Sequence, residues 1–198
     1  MASKLNRLSA VNIVLSNIGQ APVTVVDDND NAMVNMASNI IDEVTNSLQA
    51  EGWTFNTERA YPFTPDTDGN IFIPDNVLQL DGGYLSENDL VLRQGKLYNK
   101  RTHSYEFTKK QELDVVWLVD FDDMPDAFKN YVAMRAANLF AGRAVGSQEA
   151  VKFGEREEFA ARASMLEYET QQGDYSMLGT ADNINNRTYR PSTALIRY

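Results

Sequence analysis

GWTFN, Gly52 to Asn56, is where the texture of this chain changes. Before it, from Ala32 to Glu51, apolar side chains recur at helical spacing: Met33, Ala37, Ile40, Val44 and Leu48 make a stripe that Met36 and Ile41 widen. Gly52 is a stop signal for that helix. Trp53 and Phe55 then alternate, as the first residues of a strand do. They predict aromatic anchoring where sheet meets helices; a stacking platform for a ligand is the other reading. From Thr54 to Phe121, turn punctuation at Pro65–Asn70, Pro74–Asn76, Asp81–Gly83, Ser86–Asp89 and Gln94–Lys96 separates short β-type runs. The runs are IFI (Ile71–Ile73), VLQL (Val77–Leu80), LVLR (Leu90–Arg93), KLYN (Lys96–Asn99), SYEF (Ser104–Phe107) and LDVVWLV (Leu113–Val119). LVLR and KLYN meet across two residues and predict a hairpin. LDVVWLV is apolar on both sides of the pleat and predicts the most covered strand.

Outward from this centre the chain is helical on both sides. Leu5, Leu8, Val11, Leu15 and Ile18 share one face of a first helix, with Ser3 as its expected N-cap and Gly19 and Pro22 as its stop. DDNDN, Asp27–Asn31, predicts a loop in which Asp30 or Asn31 caps the second helix; it lacks the alternate ligands and closing glutamate of a calcium loop. DDMPDAF opens a third helix, with Asp123 and Asp126 on the favourable end of its dipole and Pro125 in its first turn. Phe128, Val132, Ala136, Leu139 and Phe140 line its face, and Gly142 and Gly146 mark the exit. A fourth helix, about Ser147 to Gln172, is charged, with Phe159, Ala163 and Leu166 as a narrow seam suited to one neighbour, from this chain or the next.

The expected fold class is therefore α+β. A bundle of about four helices (residues 1–53 and 120–172) carries an antiparallel β-rich insert (54–119) between helices 2 and 3. An extended C-terminal arm (173–198) follows. The arm has no helical period, and after Asp182 it holds Arg187, Arg190 and Arg197 with no acid. Tyr189, Leu195, Ile196 and Tyr198 accompany them. Arginines and aromatics are enriched at protein interfaces, so the arm reads as a docking segment. An unstructured terminus is the alternative.

Composition bounds the chemistry. The 198 residues include no cysteine and one histidine, His103, so disulfides, thiolate sites and the usual zinc centres are excluded within one chain. No cofactor or metal is expected. Neither a membrane-spanning run nor the apolar core of a signal peptide occurs, so no membrane partner is expected either. Net charge is −10. That argues against static binding of duplex DNA, which needs a basic face; it suits either simple solubility or a channel wall that does not hold phosphates. No nucleophile elbow, phosphate-binding glycine loop or dinucleotide fingerprint is present. Paired carboxylates suffice for glycoside hydrolysis, and Asp120, Asp122 and Asp123 crowd one strand-to-helix junction, where capping also accounts for them.

Four blocks of the sequence resemble, in order, the tail tubular protein A family of short-tailed bacteriophages, also called the adaptor, gatekeeper or head-to-tail connector. They are LSAVNIVLSNIGQAPV (Leu8–Val23), GWTFN, MPDAFKNYVAMRAANLFAGR (Met124–Arg143) and LEYETQQGDYSMLG (Leu166–Gly179). The strand region matches in texture more than in residues, and the tail after Ala181 is longer than the resemblance leads one to expect. The resemblance implies a structural virion protein of the head-to-tail junction, made in the host bacterial cytoplasm and without catalysis. It implies a dodecameric ring bound to the portal protein above and to the nozzle, tail tubular protein B, below. Tail fibres seat at the rim, and genomic DNA passes through during ejection without specific binding. The helices would pack around the ring and the sheet would face the nozzle. The arm would reach the portal or a neighbouring subunit through Arg187, Tyr189, Arg190, Leu195, Ile196 and Tyr198. A cell-envelope polysaccharide or peptidoglycan hydrolase using paired carboxylates is the competing expectation.

Overall fold

In the computed structural model, residues 4–26, 31–82, 89–146 and 148–173 are described. The fold is α+β: four helices, with a small antiparallel sheet region between the second and third. Helix α1 (Arg7–Ser16) is capped by Asn6, whose side chain accepts from the Ser9 amide at 2.8 Å. The predicted cap, Ser3, lies outside the described residues. The helix stops at Ser16, short of Gly19, and its most buried residues are Ala10, Val11, Val14 and Leu15. Leu8 is only half-buried, so the predicted stripe is rotated toward Val14. Helix α2 (Ala32–Gln49) is capped by Asn31, which accepts from the Met33 and Val34 amides. Val34 rather than Met33 is buried in its first turn, Met33 being 41% exposed.

The three-stranded sheet has the order β1 (Thr57–Phe63), β5 (Gln111–Trp117), β2 (Val77–Asp81), all antiparallel. Of LDVVWLV, Leu113–Trp117 lies in the central strand, which begins at Gln111 and ends before Leu118 and Val119. Strand β1, TERAYPF, escaped the sequence reading because it is charged and contains Pro62; proline is tolerated at a sheet edge, which is where β1 sits. It bulges between Glu58 and Tyr61, with Ala60 at φ 52° and its amide held by the Asp114 carboxylate at 2.9 Å. The LVLR–KLYN pair forms the predicted hairpin, β3 (Leu90–Arg93) and β4 (Lys96–Asn99). IFI and SYEF are not strands. Each makes a single bridge, Phe72 to Lys96 and Ser104 to Asn99. Ile71, Ile73 and Phe107 are nonetheless buried as alternation requires.

The chain returns to the helices through a short 3-10 turn (Phe121–Asp123) and α3 (Asp126–Phe140). Pro125 takes the N-cap position, one residue before the predicted first turn, and Asp123 lies in the 3-10 turn rather than in α3. Helix α3 is covered on most sides: Phe128, Tyr131, Val132, Ala133, Ala136, Ala137 and Phe140 are all buried, and Leu139 only partly. One π turn (Ala141–Val145) follows, and Gly146, left-handed at φ 66°, makes the stop; Gly142 lies inside the turn. Helix α4 (Gln148–Gly173) doubles back along α3. Two hydrophobic clusters result. One joins the four helices with Trp53 and Phe121; the other joins the sheet with the hairpin through Phe63, Ile71, Leu97 and Leu113.

Candidate assembly surfaces

Where the clusters meet, every residue of GWTFN is engaged. Gly52 holds φ +76°, and a Cβ there would sit 3.3 Å from Val116 Cγ2. Trp53 Nε1 donates to the Leu48 carbonyl at 2.6 Å, and its ring meets Phe128 edge-on at 5.2 Å. The Thr54 amide and hydroxyl both donate to Glu169 Oε1 near the end of α4. Phe55 packs on Phe128 at 4.7 Å. Asn56 donates to the Gln49 and Trp117 carbonyls at 3.0 and 2.8 Å and accepts from the Trp53 amide. The segment is a turn, not a strand, because Asn56 ties it back on itself. Trp53 and Phe55 are core anchors.

Beside this turn lies a shallow cleft of about 540 Å³ whose walls include Trp117, Asp120 and Asp123. Asp120, Asp122 and Asp123 are all exposed. Asp122 Oδ1 accepts from the Arg7 amide at 2.9 Å, capping the start of α1, and its carbonyl receives the buried Lys129 ammonium at 2.6 Å. The Asp123 amide bonds the Asp120 carbonyl. These aspartates join helix ends. Among the described residues no cluster of histidine, cysteine and carboxylate side chains is placed to hold a metal ion, and no helix is long and apolar enough to cross a membrane.

A larger groove of about 620 Å³ runs between α2 and α4 over a floor of α3. Its floor is a chain of polar groups. Arg162 donates to the Tyr131 hydroxyl at 3.0 Å and lies 3.5 Å from Glu51; Arg135 reaches the same hydroxyl and pairs with Glu158 at 3.0 Å. Asn138 donates to Glu158 at 2.9 Å, and α4 comes so close that a Cβ on Gly154 would lie 2.9 Å from Asn138 Oδ1. The Tyr131 hydrogen bond leads in raising the Arg162 pKa, against desolvation. Also on α2, Glu43 is gripped by Arg143 at 2.6 and 2.9 Å, which holds that carboxyl below its ordinary value of 4.5, with desolvation opposing.

The sequence left the α4 seam to a neighbour from this chain or the next, and the described residues of this chain do not cover it. Phe159 is 78% exposed, Leu166 43% exposed, and Ala163 faces out with them. Ala161, Met165 and Glu169 are the buried residues, with Tyr168 partly so. The apolar spacing marks the outer face; the inner one lies among charged residues in the sequence, of which Arg162 bonds to Tyr131 and Glu169 Oε1 to Thr54 on other elements. Further exposed apolar side chains are Val25, Met33, Phe72 and Leu92. The predicted contact residues of the arm, Arg187, Tyr189, Arg190, Leu195, Ile196 and Tyr198, lie outside the described residues.

Residues 8–175 match the profile of a family described as tail tubular protein. The chain is also similar to tail tubular protein A of Klebsiella phage KP34, with 29% identity over 131 residues, 65% of this chain and 68% of that protein.

Proposed function

Because this chain belongs to the tail tubular protein family, and is thus a structural component of a bacteriophage tail, we propose that it is the ring-forming adaptor between portal and tail nozzle. In this reading copies close into a dodecameric ring through heterologous contacts, which leave no free edge when the rotation closes. The ring binds the portal above and tail tubular protein B below, seats fibres at its rim, and lines the channel through which DNA is ejected. Residues 173–198 act as an arm that contacts the portal or the next subunit, with Arg187, Tyr189, Arg190, Leu195, Ile196 and Tyr198 as its anchors. The helices (1–53 and 120–172) and the β-rich insert (54–119) act as two units, a division favoured by their separate hydrophobic clusters.

The observation that carries this reading is the outward stripe of α4. Single exposed apolar residues are ordinary, but Phe159, Ala163 and Leu166 repeat at helical spacing on a helix whose other side is already packed. Such a face is built to be covered. The protein acts without catalysis, since the carboxylates that would serve a hydrolase are occupied in capping or open to water. Incubation with the cognate portal followed by native mass measurement tests this: twelve copies per complex is the expected result. A chain that stays monomeric beside its portal, or that turns over peptidoglycan in a manner abolished by Asp120→Asn, sinks the proposal.

A further inference from the structure

The groove between α2 and α4 carries an inference that rests on the ring reading and gives it a specific contact. Its lining holds three carboxylates, Glu51, Glu155 and Glu158, against two guanidiniums, Arg135 and Arg162. Glu51 and Glu158 are matched by those arginines. Glu155 is exposed and makes no ion pair among the described residues, so one negative charge is left over at the rim. Beside it stands Phe159, the most exposed large apolar side chain of the described residues. The groove therefore asks for a segment that is basic and carries aromatic or aliphatic groups.

The chain itself contains such a segment. All 28 acidic residues lie at or before Asp182, whereas Arg187, Arg190 and Arg197 follow, interleaved with Tyr189, Leu195, Ile196 and Tyr198. Helix α4 forms the groove wall between Glu155 and Arg162 and then continues to Gly173. The chain thus leaves α4 some 17 Å beyond its own groove, at about 1.5 Å per helical residue. Residues 174–186, extended at ~3.3 to 3.6 Å each, span roughly 45 Å, about the diameter of a subunit of this size. We propose that residues 187–198 of one copy dock in the α2–α4 groove of the next, with an arginine at Glu155 and an aromatic or aliphatic side chain against Phe159. Such arm-to-groove exchange is heterologous, so it propagates around a ring and closes with it.

The absence of cysteine makes the test clean. Full-length Ser47→Cys, with its substitution on the groove wall, is mixed with full-length Ala194→Cys, assembled with portal, and oxidised. The expected product is a disulfide between the two differently substituted chains. Phe159→Ser or Glu155→Lys placed in the Ser47→Cys chain should cut its yield about tenfold, as loss of an interface anchor does. Both positions are exposed and partner-free enough that unfolding is not expected, and circular dichroism of each variant checks this. Rings that form without the disulfide overturn the groove contact and leave the adaptor reading intact. In a third sample, a chain carrying both Ser47→Cys and Ala194→Cys is assembled and oxidised alike; a disulfide found only within single chains assigns the arm to its own groove and overturns the inference, as does a yield untouched by Phe159→Ser and Glu155→Lys. Failure of any ring to form with the portal counts against the adaptor reading itself.

Discussion

Gln49, wholly buried at the end of α2, treats Val119 as a strand would: its amide donates to the Val119 carbonyl and accepts from the Val119 amide, both at 2.8 Å. Asn12 does the same for Val23, at 3.0 and 2.8 Å, pinning the loop after α1. These side-chain amides explain why polar residues sit inside blocks that otherwise read as core. Gln49→Met keeps the volume but strands two part-buried backbone groups of Val119, each worth up to about 1–3 kcal/mol. It should lower stability by roughly 2–4 kcal/mol, read as a fall in urea midpoint at unchanged slope; a midpoint within error of the parent refutes the clamp. The Glu43–Arg143 pair makes a pH prediction. Glu43 has a lowered folded pKa, so its contribution is fully present above the unfolded value near 4.5 and disappears as pH falls through the lowered one. Arg143→Met should flatten that part of the acid dependence, measured as urea midpoints between neutral and acidic pH. Identical slopes in both proteins would show the pair contributes nothing.

At the scale of elements, α4 separates what spacing reveals from what it conceals. Met165 is fully buried and Leu166 faces out. Met165→Ala should therefore cost about 2–4 kcal/mol, whereas Leu166→Ser and Phe159→Ser should each stay within about 0.5 kcal/mol, by chemical denaturation of the free chain. The opposite order would place the Phe159–Leu166 seam against this chain's own core. In the β3–β4 hairpin both turn residues have positive φ, Gln94 at 53° and Gly95 at 71°. Asparagine tolerates that region better than glutamine, so Gln94→Asn should raise the melting temperature by a small amount, equivalent to about 0.5 kcal/mol. An unchanged or lower melting temperature argues against turn strain. The hairpin was legible because two residues between β-type runs leave few geometries. Strand β1 was not, since Pro62 and the charges Glu58 and Arg59 suit an edge whose existence depends on β5 lying beside it.

For the molecule as a whole, removal of residues 174–198 separates folding from assembly. Among the described residues, both hydrophobic clusters draw only on residues before Gly173. The shortened chain should keep its thermal midpoint within about 2 °C, corresponding to less than ~0.5 kcal/mol for a chain of this size, while losing ring formation with portal. A truncated protein that melts much lower, or that still assembles, contradicts this division of labour. The sequence by itself determined the helix–sheet–helix order, the hairpin, the central strand and a cap at Asp30 or Asn31, because each depends on neighbours a few residues away. It also determined the family, through blocks whose residues prove to be clamps and anchors. Only the tertiary structure decided which face of α4 is inner, that GWTFN is a turn, and that α2 and α4 enclose a groove. Those outcomes depend on partners far apart in the chain, such as Glu169 with Thr54 and Arg162 with Tyr131. Local periodicity reports where apolar side chains lie, but burial is fixed by which polar neighbours find a partner.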